Sequence, residues 1–221
     1  MPLFFGITDD TVEQYLYRTL PPRPAEIQAI EDHATQADVP VVGPLEGQFL
    51  YVLALGAGAR DILEVGTATG YSAAWLGLAA RARGGRVIGL ERDPARAALA
   101  AGFWRQSGLD DTCSIRPGDA FAVLRTMDDQ FDFIFVDILT QLAGPAEGEL
   151  LADLCIARLR PGGMLVADNA LRKGRIADPA NREPGVETMR RYLGRLDAHP
   201  DFATVIVPLR DGVALAVRHP D

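Results

Sequence analysis

Lysine is nearly absent: Lys173 is the one lysine among 22 basic residues. Chemistry that needs a lysine therefore has a single candidate. Cysteine is scarce too. Cys113 and Cys155 stand far apart, each in an apolar segment, which excludes a disulfide framework and a paired-thiolate metal site. They read as reduced core residues. The three histidines, His33, His199 and His219, are scattered and read as structural or solvated. Long apolar runs are missing. Stretches such as Phe133 to Val136 fall far short of the roughly 18 residues a membrane span needs. Met1 to Asp10 lacks the basic start and apolar stretch of a secretory signal, so cytoplasmic residence is expected. Excess positive charge is missing as well: the net charge is −8. That disfavours bulk nucleic-acid binding, which usually needs a basic face.

What is present is ordinary globular material, 221 residues with 48% hydrophobic and 24% charged. That length fits one α/β domain. Residues 11–38 read as two helices separated by Pro21-Pro22 and restarted at Pro24. Glu46 to Leu55 is apolar at helical spacing. A β-then-α alternation follows. Its strands are Asp61–Gly66, Arg86–Glu91, Thr112–Arg116, Phe131–Asp137 and Met164–Asp168. Two adjacent strands, Ala203–Pro208 and Val213–Arg218, close the chain around the hairpin signal Arg210-Asp211-Gly212. Such alternation demands a parallel sheet with helices on both faces. The expected fold is α/β, a Rossmann-like seven-stranded, mostly parallel sheet with an antiparallel last strand. Residues 1–43 form a helical extension and residues 44–221 the core of a single domain.

In open parallel sheets, ligands bind beyond the C-terminal strand ends. The first strand runs into Glu64-Val65-Gly66-Thr67-Ala68-Thr69-Gly70. A dinucleotide fingerprint would want glycine where Ala68 stands. Glu64 would repel a pyrophosphate yet suits an ammonium group. A purely structural turn also fits these glycines. The second strand ends in Glu91, 91 − 66 = 25 residues beyond Gly66. An acid there accepts ribose hydroxyls, or simply caps the next helix. Asp119, after the third strand, adds another acid at the same edge. Glycine loop and acids together suit a cationic nucleoside without phosphates, such as S-adenosylmethionine (SAM).

Five further segments join Leu63–Ser72 in a larger pattern. They are Glu46-Gly47-Gln48-Phe49-Leu50, Gly118-Asp119-Ala120, Phe131–Asp137, Leu159-Arg160-Pro161-Gly162-Gly163, and Asp168-Asn169-Ala170-Leu171 leading to Gly174. From about Pro44 onward the chain resembles class I SAM-dependent O-methyltransferases, more narrowly the cation-dependent catechol and caffeoyl-CoA O-methyltransferase group. The resemblance implies that Val42 and the Gly66-Thr67 backbone line the donor pocket. It gives Glu64 and Ser72 the methionine end, Glu91 the ribose, and Asp119 and Ala120 the adenine. It makes Asp137, Asp168 and Asn169 ligands of a divalent cation, usually Mg²⁺, with Asp137 bordering the donor as well. Two carboxylates and an amide oxygen are what a hard cation wants. Asp-Asn after a strand is also a common turn.

One position departs from the pattern. The family usually carries a lysine three residues after the first metal aspartate, as presumed base, and here Thr140 stands there. Lys173, four residues beyond Asn169, is the candidate to take that role, and a solvated loop lysine is the plainer reading. The expected acceptor is a small phenolic or catechol-like metabolite. A modified tRNA nucleoside, a degenerate donor-binding member and a nicotinamide-dependent oxidoreductase are the competing readings. Nucleic acid and membrane are not expected partners. A homodimer is expected, with Leu3-Phe4-Phe5 and the following helices able to pack on a partner.

Overall fold

The computed structural model describes residues 10–221. The segment Leu3-Phe4-Phe5 lies outside them. Among the described residues, helices α1 (Asp10–Thr19), α2 (Ala25–Gln36) and α3 (Gly43–Gly56) precede the first strand. The alternating part follows: β1 (Asp61–Val65), α4 (Tyr71–Arg81), β2 (Arg86–Glu91), α5 (Pro94–Ser107), β3 (Cys113–Pro117), α6 (Ala120–Thr126) and β4 (Phe131–Val136). Then come α7 (Pro145–Ile156), β5 (Leu159–Ala167), α8 (Pro184–Asp197), β6 (Phe202–Val207) and β7 (Val213–Arg218). No helix among the described residues is long and apolar enough to cross a membrane.

The seven strands form one sheet in the order β3-β2-β1-β4-β5-β7-β6. β1 to β5 pair in parallel, and β7 runs antiparallel between β5 and β6. The fold is the expected Rossmann-like one. Strand order reverses between β1 and β4, which opens a crevice beyond their C-terminal ends.

Buried parallel strands carry apolar residues on both faces, and β4 shows this. Phe133 and Phe135 pack with Leu50, Tyr71, Trp75 and Trp104 under α3 to α5. Ile134 and Val136 pack with Leu151, Met189 and Tyr192 under α7 and α8. Phe131 joins this second layer out of alternation because the β4–β5 register shifts between Phe131 and Phe133. β5 starts at Leu159, five residues before the expected Met164, because Phe131 already pairs with Leu159 across that shift. Cys113 and Cys155 are free and buried.

Candidate active site

A cavity of about 750 Å³ sits at the reversal point. That is the size of a small-molecule site. Its wall includes Val42, Gly66, Glu91, Asp119, Ala120, Asp137, Thr140, Asp168, Asn169 and Arg210.

The first glycine loop is shaped from within. Gly66 has φ +99°, and a Cβ there would lie 2.4 Å from Ile138 Cγ2 and 2.9 Å from the Asp137 carbonyl oxygen. The absent side chain lets β1 and β4 run out side by side. Ala68 also takes a left-handed conformation, φ +48°. That costs a non-glycine residue roughly 1–2 kcal/mol. Its backbone N–H donates to Glu91 Oε2 at 2.8 Å, which helps hold the loop. Glu91 Oε1 accepts from Asp93 N at 2.8 Å. The carboxylate is thus pinned at the cavity wall by two amides, and Glu91 is 7% exposed.

Asp119 caps α6, accepting from Ala122 N at 3.0 Å, and this sets it beside Ala120 at the third strand end. Glu64, Thr67 and Ser72 are buried and do not join the cavity wall. They form a polar cluster behind the loop. Neither oxygen of Glu64 has a hydrogen-bond partner. Burial pushes its pKa up to about 7, while the Ser72 and Thr67 hydroxyls pull it down and Glu91 pushes it up.

Asp137 N donates to Val65 O at 2.9 Å and Asp168 N to Val136 O at 3.1 Å. Neighbouring strands thereby carry the two acids to one mouth. Asn169, the second residue after β5, takes φ +60°. Thr140 is exposed in a 3-10 turn, Leu139–Gln141, and faces the cavity. Lys173 lies elsewhere. It is exposed, does not join the cavity wall, and its backbone N–H bonds the Asp211 carboxylate.

Two residues of the mouth were not anticipated as site residues. Glu46, in the first turn of α3, is fully buried. Arg210, in the β6–β7 turn, meets Glu46 Oε2 at 3.2 Å and donates to the Val42 carbonyl. The Arg210 side chain is 32% exposed and that of Glu46 0%. Burial pushes the Glu46 pKa up to about 9, with Asp168 and Asp137 adding repulsion and Arg210 opposing. Burial, then Asp168 and Glu64, holds Asp137 well above the usual carboxylate range, again against Arg210. Asp168 is raised by burial, opposed by the Asn169 N–H and by Arg210.

The expected cation ligands Asp137, Asp168 and Asn169 do share this mouth. As arranged, they fit a dication poorly, because a positive charge is already built in. A permanent guanidinium already stands in this mouth, paired with Glu46 and pulling down the pKa of Asp137 and Asp168, so it competes with a dication for these carboxyls.

A doubly wound sheet with an antiparallel seventh strand, a glycine loop after β1 and an acid after β2 define a class I methyltransferase. A family model described as O-methyltransferase matches residues 25–219. A catechol O-methyltransferase of Niastella koreensis is 32% identical over 219 residues, covering 94% of this chain and 96% of that protein. A putative O-methyltransferase of Mycolicibacterium vanbaalenii is 32% identical over 197 residues, covering 88% and 84%. The O-methyltransferase of Bacillus cereus, solved in complex with SAH, superposes with TM-score 0.81 at 30% identity, over 94% of this chain and 97% of that one. The O-methyltransferase TomG of Streptomyces achromogenes, solved with SAM, gives TM-score 0.82 at 28% identity, over 95% and 96%. The chain belongs to the O-methyltransferase family, enzymes that transfer a methyl group from SAM.

Proposed function

We propose that the cavity seats SAM along the wall from Glu91 to Asp137 and delivers its methyl group to a hydroxyl of a small phenolic or catechol-like acceptor at the Asp137–Asp168 mouth. The observation that carries this is one continuous cavity. Its wall holds both the amide-pinned Glu91 carboxylate and the acid mouth. Glu91 retains free lone pairs for the ribose hydroxyls. Asp119 and Ala120 border the adenine. Val42 and the Gly66 backbone flank the methionine part, with Glu64, Thr67 and Ser72 supporting the loop from behind.

Transfer from a sulfonium is an in-line displacement. The acceptor oxygen, the methyl carbon and sulfur must line up at roughly 3 Å, so positioning does most of the catalysis. An oxyanion meeting a sulfonium loses charge in the transition state, which a poorly hydrated pocket favours. Thr140 cannot serve as a base at neutral pH, so a phenol with a pKa of about 10 needs positive charge at the mouth to ionise.

The test is transfer of a labelled methyl from SAM to a catechol panel and, separately, to bulk tRNA. Label on a phenolic oxygen is expected. Label on tRNA and on no phenol would overturn the reading of the acceptor.

A further inference from the structure

We propose that Arg210 supplies the positive charge of the acceptor mouth, in place of a divalent cation, and that this enzyme transfers its methyl group without a metal. The proposal rests on the donor-site reading above and adds how the acceptor is activated.

The geometry is built by the strand order. β7 pairs antiparallel with β5, with Ala167 opposite Ala214, so the start of β7 lies at the end of β5. The loop after Asp168 is tied to the hairpin turn. Ala170 N donates to Gly212 O and Leu171 N to Asp211 O, each at 2.8 Å. Arg210 therefore emerges beside Asp168 although 42 residues, 210 − 168, separate them. Its guanidinium reaches across to the start of α3, where it holds the Val42 carbonyl and Glu46 Oε2. Its Cζ lies 3.9 Å from where a Cβ on Gly43 would be. Arg210 itself sits at φ +52°, a conformation in which glycine would be at ease. An arginine kept in that position, aimed at buried acids, is a costly choice for a turn with no other duty.

A guanidinium does what the mouth requires. It is always charged, and its planar fork can bind two adjacent oxygens. Beside it, an acceptor hydroxyl gives its proton to bulk water through the open mouth. The oxyanion's electron pair then forms the new C–O bond while the C–S bond breaks. That electron pair stays on sulfur, and the sulfonium becomes the neutral thioether of SAH. Arg210 remains protonated throughout. Glu46 and the Val42 carbonyl hold the guanidinium in place.

The test reads metal binding directly and needs neither donor nor acceptor. Mn²⁺ is titrated by paramagnetic resonance into the wild type, Arg210→Gly, Arg210→Met and Arg210→Gly/Asp168→Asn. Little binding is expected for the wild type. Both single variants should bind at least about tenfold more tightly, a shift of about 1.4 kcal/mol, and the double variant should lose that gain. Glycine suits φ +52°, and methionine preserves side-chain length, so one failed fold does not decide the matter. In parallel, methylation of 3,4-dihydroxybenzoate by the wild type should persist in excess chelator. With Arg210→Met its pH–rate profile should move up toward the phenol's own pKa, with SAH affinity unchanged. Equal Mn²⁺ affinity in all four proteins would overturn the proposal, as would wild-type activity lost to chelator and restored by Mg²⁺. Calorimetry with SAH separates the two levels: no SAH binding to the wild type would sink the donor-site reading itself.

Discussion

Removing the Glu91 carboxylate should have two separable effects. The side chain is 7% exposed and anchored by Ala68 N and Asp93 N, both at 2.8 Å. Glu91→Ala leaves these amides without that acceptor, and an unpaired, partly buried amide costs about 1–3 kcal/mol. It also removes the acceptor of the ribose hydroxyls. Hydrogen bonds to a charged group contribute about 1.5–3 kcal/mol, so SAH affinity should fall about 10- to 150-fold. Combining Glu91→Ala with Ala68→Gly relieves the strained loop and leaves mainly the ribose loss. Calorimetric titration should compare SAH with an analogue lacking both ribose hydroxyls. The wild type should bind the analogue more weakly than SAH, whereas Glu91→Ala should bind the two alike. Such a cycle isolates the pairwise contact. If Glu91→Ala discriminates between them as strongly as the wild type, the acid does not touch the ribose and the argument fails.

Ala68→Gly alone, at φ +48°, should stabilise the protein by about 1 kcal/mol; a lowered Tm would contradict the strain assigned to that loop. Glu64→Gln tests the buried acid behind it. The Glu64 pKa rises from 4.5 to about 7, so its favourable contribution is complete below pH 4.5 and lost as pH climbs to about 7. The wild type should therefore lose on the order of 3 kcal/mol relative to Glu64→Gln between pH 4.5 and 8, read by urea unfolding; parallel pH curves would refute it. Asp132 accepts from Arg60 N and Asp61 N at 3.0 and 2.9 Å and from Arg160 at 2.7 Å, at the sheet edge opposite the cavity. Asp132→Ala should cost about 2–4 kcal/mol of stability with SAH affinity unchanged, and a matching loss of affinity would show the two ends of the sheet to be coupled.

Much of the fold was legible because its signals are local. β2 and β7 begin and end where the sequence places them, since glycine and apolar runs punctuate them directly. Gly66, Glu91, Asp119, Asp137 and Asp168 were legible as site residues because each ends or follows a strand, and parallel strands all end at one edge. Glu46 and Arg210 were not. Glu46 stood out only as part of a helical motif, and nothing in its spacing tells that α3 turns it toward Asp168. Arg210 read as a hairpin residue. Its approach to the mouth depends on β7 inserting between β5 and β6, which no local pattern encodes. The one available signal was an arginine in a turn position that favours positive φ. Lys173 followed the Asp168-Asn169 pair closely in sequence, yet the left-handed backbone at Arg172 and Lys173 carries it away from the cavity wall.

The most direct measurement is a crystal structure of the SAH complex. The ribose hydroxyls are expected on the Glu91 carboxylate, the adenine beside Asp119–Ala120, and the sulfur facing the mouth formed by Asp137, Asp168 and Arg210. SAH bound away from Glu91, or with its sulfur turned from that mouth, would contradict the proposed function.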